Sequence, residues 1–581
     1  MKRVGFPYGI SNFETLVRTG KHYVDRTTYL AKMEDMDTRY HFFLRPRRFG
    51  KSLAVSVMEY YYGKQHRDKF EELFGRYYIG QHPTAGANAY LVLKFDFSGI
   101  RTNDLKAIEE SFASRVREQT LRSLLNYRSL FSQEDLALIE SQTQANELLD
   151  KTLTIIAENN PGERVFLLID EYDHFTNEII AFSFSDFKQI VSRNGIVRKF
   201  FEVIKEGTQS GIIDRIFVTG VSPVTLDSLT SGFNIGTNLS LRPDMHDFMG
   251  FTEAEVADIL RLANVPQEQF EQALADVRTW YNGYLFHPHA VHRLYNPDMV
   301  WHFAMTYRDE GQYPEKLVDI NVTSDYGKIG RMLEVGNRAI NEAVLEEVIQ
   351  DGTVISGLTV QFSFERDWTR EDFVSLAFYL GLLTVQQARL SQWVFQVPNQ
   401  VIRELYWNFF QYLLLRRTKL SAHDLNMSRR MEALALELNI EPLREAFQKV
   451  LSHLDPRDAR QLDEKHLKTA LIALMSPTGV YLVRSEQALG QGYPDILLLR
   501  RPPILEPKRQ YVFELKYLKK SEAHRLPEVV EQGREQLQRY LSHPDVVAQG
   551  DFVAYLWVVV GYDIERVEEV QLNFEMKSLN E

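Results

Sequence analysis

Short apolar runs alternate with helical stretches over the first 250 or so residues. The runs "YHFFL", "YLVLKFDF", "VFLLIDEYD" and "RIFVTGVS" are about strand length and rich in Val, Ile, Phe and Leu; each ends in polar or glycine residues. This is how buried parallel strands and their loops read in an α/β domain. From "GFTEAEVADILRLANV" onward the period turns helical, with Thr252 as N-cap and Glu255 completing a capping box. Farther on, "FVSLAFYLGLLTVQQ" and "QWVFQVPNQVIRELYWNFFQYLL" predict helix, short strands and helix, a winged-helix-like order. Past residue 430 the chain runs helical, then shifts to strands at "YLVRSE", "DILLL", "YVFELKY" and "VAYLWVVV". The pattern predicts an α/β multidomain protein. An α/β domain spans 1–250, a helical and winged-helix-like middle spans 251–425, and a second α/β unit spans 426–581.

Composition narrows the classes. A chain of 581 residues is too long for one core. It has no cysteine, which excludes disulfides, thiolate metal sites and cysteine nucleophiles. The opening "MKRVGFPYGISNFETL" has charge but no apolar run, so no signal peptide is expected. Its strongest apolar stretches fall far short of the roughly 18 residues of a membrane span. A soluble, cytoplasmic protein with no membrane partner is expected. The formal net charge of −12 argues against a surface that coats nucleic acid indiscriminately, so any such contact must be local.

The stretch "YHFFLRPRRFGKSLAVSVMEYYY" carries the first chemistry: a strand, a basic loop and a helix start. A phosphate cradle needs a strand that stops, inward-pointing N–H groups and a helix N-terminus aimed at the anion. The usual motif has a glycine five residues before Gly50, where this chain has Arg45. A short GKS match also arises on solvated basic helices. In the nucleotide reading, Gly50 lets the backbone approach the anion, Lys51 reaches the terminal phosphates and Ser52 ligates magnesium. Pro46 pre-sets the turn, and Arg45, Arg47 and Arg48 add positive charge near a triphosphate. The strand "VFLLIDEYD" supplies the acids that magnesium-ATP chemistry wants: Asp170 to hold the metal and Glu171 to orient or deprotonate the attacking water. Thr219, closing "RIFVTG", stands where related ATPases keep a polar residue that senses the γ-phosphate.

Together "YVDRT", "FFLRPRRFGKSL", "LLIDEYD", "TGVSP", "GFTEAEV", "WYNGY" and "YNPDMV" resemble the bacterial AAA-ATPase-like family, whose loop reads RPRRFGKS or RPRRFGKT. The resemblance covers most of residues 1 to 300. It implies an ASCE-type P-loop NTPase that binds ATP and Mg²⁺ through Lys51, Ser52, Asp170 and Glu171, within a loop comprising Arg45, Pro46, Arg47, Arg48, Phe49, Gly50, Lys51, Ser52 and Leu53.

The second chemistry lies in "YLVRSEQALGQGYPDILLLRRPPILEPKRQYVFELKYLKK". Glu514 and Lys516, two apart in a strand, project from one face, while Leu515 points to the core. If the two strands form a hairpin, Asp495 lies beside Glu514. Two carboxylates and a lysine on one spot suit phosphodiester cleavage with Mg²⁺ or Mn²⁺, Lys516 positioning the water or stabilising developing charge. An isolated E-x-K is also what a solvent-facing strand edge shows. The full arrangement resembles the PD-(D/E)XK nuclease superfamily over roughly residues 430 to 570, a restriction-endonuclease-like fold. The resemblance implies metal contacts at Glu486, Asp495, Glu514 and Leu515, and Gln536 and Tyr540 fit a Q-x-x-x-Y pattern of some nuclease branches. Arg500, Arg501, Lys508, Arg509, Lys519 and Lys520 are expected to cluster near the site and meet a phosphate backbone. A solvated hairpin turn explains the first four equally well.

"FHPHAVH" reads as a turn rather than a metal site, and Trp280 and Tyr284 of "WYNGY" read as packing aromatics. The expectation is an ATPase, acting as switch or motor, coupled to a metal-dependent nuclease on nucleic acid, DNA first, with a homo-oligomer as a further expectation. The alternative is a STAND-like signalling ATPase whose C-terminal fold binds nucleic acid or protein without cutting.

Overall fold

The computed structural model describes residues 5–101, 104–174, 195–223, 235–319, 329–362, 366–454, 462–485, 494–544, 546 and 551–570. The chain divides into two compact units, residues 1–400 and 401–581.

The first unit is built on β1 (Tyr40–Leu44), β2 (Leu91–Asp96), β3 (Val165–Asp170), β4 (Ile213–Gly220) and β5 (Thr237–Asn238). All pairings are parallel, in the order β2-β3-β4-β1-β5. Burial on both faces explains why "VFLLID" reads as a continuous apolar run, since all six residues are buried. The strand β4 separates β1 from β3, as the ASCE arrangement requires. Loops leaving the C-terminal ends of β1, β2 and β3 therefore share one edge of the sheet, the usual place for a ligand in an open α/β sheet.

After β1 the chain turns through residues 45–50 into α1 (Lys51–Tyr62). Arg48 and Gly50 both sit in the left-handed region, with φ of 67° and 92°. At Gly50 this costs little. The helix α2 (Glu253–Leu262) starts with the expected capping box, both of its reciprocal hydrogen bonds being formed. The helix α3 (Pro297–Glu310) is capped by the Asn296 side chain, carries Pro at its first position, and ends at left-handed Gly311.

Next come α4 (Arg338–Asp351), β6 (Thr353–Ser356), α5 (Arg370–Tyr379), β7 (Thr384–Arg389) and β8 (Gln392–Gln396), with an antiparallel sheet in the order β6-β8-β7. The helix and short strands read from the sequence are present, and the strands pair as a hairpin that the sequence reading did not specify. Residues Asp372 to Tyr379 of α5 are all buried, so that helix is a packing element and presents no face to a groove.

In the second unit, α6 (Glu464–Met475) precedes a mixed sheet of β9 (Tyr481–Arg484), β10 (Ile496–Arg500), β11 (Gln510–Leu518), β12 (Phe552–Val560) and β13 (Asp563–Val570), ordered β13-β12-β11-β10-β9. The strands β9, β10 and β11 form an antiparallel meander. Parallel pairing of β11 with β12 is bridged by α7 (Leu526–Leu541), whose apolar face packs on Val512, Leu556 and Val558. Among the described residues, no helix is long and apolar enough to cross a membrane.

Candidate functional site

The P-loop lysine is held before any ligand arrives. Lys51 is buried, and its Nζ donates to the carbonyls of Arg45 (3.1 Å) and Pro46 (3.2 Å). It also stands 4.0 Å from the Glu171 carboxylate. The carboxylate of Asp170, at the end of β3, accepts from the Ser52 hydroxyl and from the Glu171 N–H (3.0 Å). Burial pushes Asp170 up to about 6; the Ser52 bond and Lys51 oppose this, while Glu171 and Asp96 add to it. Burial also pushes Glu171 up, but the Lys51 charge, the His174 imidazole and Arg47 together outweigh it and hold Glu171 down at about 2. His174 Nδ1 is 3.6 Å from Glu171 Oε2. Glu171 has φ of 52°, an uncommon conformation for a non-glycine residue.

Ser52, Asp170, Glu171 and His174 line a cleft of about 620 Å³ together with Arg47, Arg48, Lys94 and Asp96. The parallel register sets Asp96 of β2 directly beside Asp170. Gln119 clamps the Asp96 main chain on both sides, donating to its carbonyl at 2.9 Å and accepting from its N–H at 2.5 Å.

Distant motifs converge on this loop. Arg26 of "YVDRT" pairs with Glu255 of "GFTEAEV" through both guanidinium nitrogens and donates to the Gly250 carbonyl at 2.7 Å. Asn296 and Asp298 of "YNPDMV" touch the loop itself: Asn296 Nδ2 donates to the Arg47 carbonyl (3.4 Å), and Arg48 pairs with Asp298 at 2.8 Å.

In the second unit, Ile496 pairs with Phe513, so the residue before β10, Asp495, falls beside Glu514 of β11. Asp495 Oδ2 accepts from the Leu515 N–H at 2.8 Å, and Lys516 Nζ donates to Glu514 Oε1 at 2.8 Å. Glu514 is buried, and its Oε2 has no hydrogen-bond partner. Burial raises Asp495, against the Leu515 N–H, Lys516 and Lys468. Burial and then the Asp495 charge raise Glu514, against Lys516. Burial pulls Lys516 down, but Glu514, Glu464 and Asp495 outweigh it and raise its pKa.

Two crowded carboxylates, one with an orphaned buried oxygen, are a donor set that fits a hard divalent cation. Among the described residues no three His, Asp or Glu side chains are already gathered as a metal site, so this pair needs further oxygen ligands. The Leu515 side chain is buried, which leaves its main chain for the contact expected there. Glu486 lies outside the described residues.

Residues 7–230 match the family described as predicted AAA-ATPase, and residues 462–569 match the PD-(D/E)XK nuclease superfamily. The chain joins an AAA-ATPase-like domain to a PD-(D/E)XK nuclease superfamily domain. An uncharacterized protein encoded in the vnfD 5′ region of Azotobacter chroococcum mcd 1 is 29% identical over 308 residues. The match covers 51% of each chain, so this chain spans about half the length of that curated relative. A Walker-type ATPase of Pyrococcus abyssi aligns over 70% of this chain and 98% of its own, with a TM-score of 0.37 and 10% identity.

Several residues of the AAA-ATPase-like domain stand elsewhere than the sequence suggested. Arg45 does not add charge beside a triphosphate. Its guanidinium is buried between the Phe43 and Phe286 rings, 4.4 and 4.1 Å from their centroids, and donates to the carbonyls of Leu44, Ser240 and His246. Burial pushes it down to about 9. It braces the turn that a glycine would otherwise make. Phe49 is likewise a packing residue, edge-on to Tyr284 and Phe286. The Thr219 hydroxyl, fully buried, donates to the Phe43 carbonyl at 2.7 Å and so joins β4 to β1 rather than facing the cleft.

In the nuclease domain the Tyr540 ring belongs to the apolar core, which removes it from direct nucleic-acid contact. Gln536 is half-buried on the same helix. Arg500 pairs with Asp551 and donates to the Pro507 and Lys508 carbonyls, while Arg501 pairs with Glu404 at 3.3 Å. The hairpin tip is about five residues, or ~17 Å of strand, from Glu514. The expected basic cluster beside the site is thus a braced turn at its far end; only Lys519 and Lys520, both exposed, follow the strand on the site side.

Sequence reading missed Asp96, His174, Glu464 and Lys468. Glu464 starts α6, accepts from the Tyr517 N–H at 3.3 Å, and its charge acts on Asp495, Glu514 and Lys516. A strand ending in an acid ("KFDF") was the available signal for Asp96. For Glu464 no local signal exists, because only the fold brings α6 to the hairpin.

Proposed function

We propose that this protein hydrolyses ATP at the P-loop and uses its C-terminal domain as a divalent-dependent nuclease on nucleic acid, with DNA as the first candidate substrate. The helical region between them, 251–425 in the sequence, connects the two activities. The observation that carries the nuclease reading is the buried, unpartnered Glu514 Oε2, beside Asp495 and two strand positions from Lys516.

In the ATPase, Lys51 exchanges its carbonyl partners for the terminal phosphates. Ser52 and Asp170 would hold the Mg²⁺ that accompanies the nucleotide. Glu171, kept ionised by Lys51, His174 and Arg47, orients the attacking water and accepts its proton. In the nuclease, Asp495 and Glu514 present carboxylate oxygens, with the Leu515 main chain and Glu464 at hand. These oxygens would hold a divalent cation, whose chemistry when bound would be to acidify a water and neutralise charge on the scissile phosphate. Lys516 remains the fixed positive charge that steadies the developing phosphorane. Lys519 and Lys520 meet the backbone of the substrate, a contact that salt weakens.

The test is cleavage of single- and double-stranded DNA and RNA in Mg²⁺ and Mn²⁺, with and without ATP, beside Asp495→Ala and Lys51→Ala. The proposal expects divalent-dependent cleavage that Asp495→Ala abolishes, and ATP turnover that Lys51→Ala abolishes. ATP turnover with no cleavage of any substrate would instead favour a signalling ATPase whose C-terminal domain only binds.

A further inference from the structure

Two arginines of the second unit stand where no acid balances them. Arg484 ends β9, and in the antiparallel pairing with β10 it lies directly across from Leu497, which in turn pairs with Val512 of β11. Residues paired across strands, and residues two apart along one, share a face of the sheet. Arg484 therefore rises from the same face as Asp495, Glu514 and Lys516. From Asp495 it is two positions along the sheet and one strand over, ~7 Å by ~5 Å. Its Nε is shut off from solvent and has no hydrogen-bond partner. Arg403, half-buried on the helix Gln400–Thr418, is close enough to feel the Arg484 charge. Burial and then that charge push Arg403 down to about 10, and burial also pulls Arg484 down; both remain cations at neutral pH. Among the described residues neither guanidinium has a hydrogen bond or an ion pair. The acid next to Arg403, Glu404, is engaged by Arg501 at 3.3 Å.

We infer that Arg403 and Arg484 form a phosphate subsite, which holds a phosphodiester of the nucleic-acid strand on the β9 side of the one that is cut. This rests on the nuclease reading and deepens it by giving the substrate a path across the sheet. Two half-buried like charges with no counter-ion cost stability, and a bound anion removes that cost. A guanidinium suits a phosphate in particular, because its parallel N–H donors match two phosphate oxygens. The separation from Asp495 suits a phosphate close along the chain to the scissile one, not the scissile one itself. Lys519 and Lys520 lie beyond the other end of the site, past the last residue of β11. A strand crossing Asp495 and Glu514 thus meets cations on both sides of the cut, arginines toward β9 and lysines beyond β11.

The experiment is fluorescence anisotropy of the full chain on short labelled single- and double-stranded DNA and RNA, in Ca²⁺ over a series of salt concentrations, with cleavage of the same strands followed in Mn²⁺. Wild type is compared with Arg403→Met, Arg484→Met and the double variant, which remove the charges but keep apolar stems in place. The control is Arg444→Met, which removes one charge from an ion-paired arginine whose helix is bonded to β13, the opposite edge of the sheet. The double variant is expected to bind the preferred strand at least tenfold more weakly, with the slope of log affinity against log salt reduced by about 1. Its melting temperature should hold or rise, because the repulsion is gone. Arg444→Met is expected to stay within twofold of wild type. Unchanged binding and slope in the double variant, or a loss in Arg444→Met equal to that of the single variants, overturns the subsite; the nuclease reading survives if wild type cuts. Arginine-dependent binding without cleavage by wild type keeps the subsite and overturns the nuclease. Binding of none of the four substrates by wild type overturns both.

Discussion

Glu514 and Lys516 share one face of β11, and their chemistry is a balance between the buried Glu514 and two half-buried charges, Asp495 and Lys516. Glu514 is raised by burial and by Asp495, and Lys516 is what holds the two carboxylates together. Substitution at the two positions should therefore move stability in opposite directions. Glu514→Gln removes the like-charge crowding while keeping the side-chain shape, so the thermal midpoint should hold or rise. Lys516→Met leaves the buried Glu514 and the half-buried Asp495 without their counter-charge and should cost on the order of 3 kcal/mol at neutral pH. Thermal unfolding of both variants checks the sign. Equal destabilisation by the two would mean that the triad is a packing feature.

At the scale of elements, the strongest predictions came from segments whose local pattern and tertiary role agree. The α2 capping box formed as "TEAE" implies, and Thr252→Ala should cost about 1 kcal/mol. Glu255→Ala should cost more, roughly 2–3 kcal/mol, because it also strips the half-buried Arg26 guanidinium of its carboxylate and leaves it only the Gly250 carbonyl. Chemical denaturation of the two variants separates the cap from the ion pair. Strands buried on both faces, such as "VFLLID", announce themselves as apolar runs, and so the parallel sheet was readable from sequence. β13 was not, because "DIERVEEV" alternates charge along a sheet edge and looks like a solvated segment. The same limit applied to side-chain direction. RPRRF shows four consecutive non-glycine positions before Phe49, but not that Arg45 turns inward between two rings while Arg48 reaches an acid some 250 positions away (298 − 48). Asp495 and Glu514 were readable because a hairpin is local; Glu464 was not, because its approach depends on where α6 packs.

At the scale of the whole molecule, buried imidazoles tie the stability of the first unit to pH. Burial lowers His41 to about 4 and His246 to about 3, with Arg45 adding to the second. Both values lie below the ordinary histidine range, so between pH 6.5 and about 4 the unfolded chain takes up protons that the folded chain refuses. Above pH 6.5 neither group affects stability. Below it each removes about 1.4 kcal/mol per pH unit until its folded pKa is reached. The melting temperature of the first unit should fall steeply from pH 6.5 to 5, and His41→Gln with His246→Gln should flatten that fall. The same slope in the double variant would place the acid sensitivity elsewhere. The proposed cleavage by the C-terminal domain depends on its carboxylate pair. Its most direct measurement is the rate of cleavage of end-labelled DNA in Mn²⁺ by wild type, Asp495→Asn and Glu514→Gln, each confirmed folded. Cleavage by wild type and at least a hundredfold loss in both variants are expected; cleavage that survives either neutralised carboxylate would contradict a nuclease built on this pair.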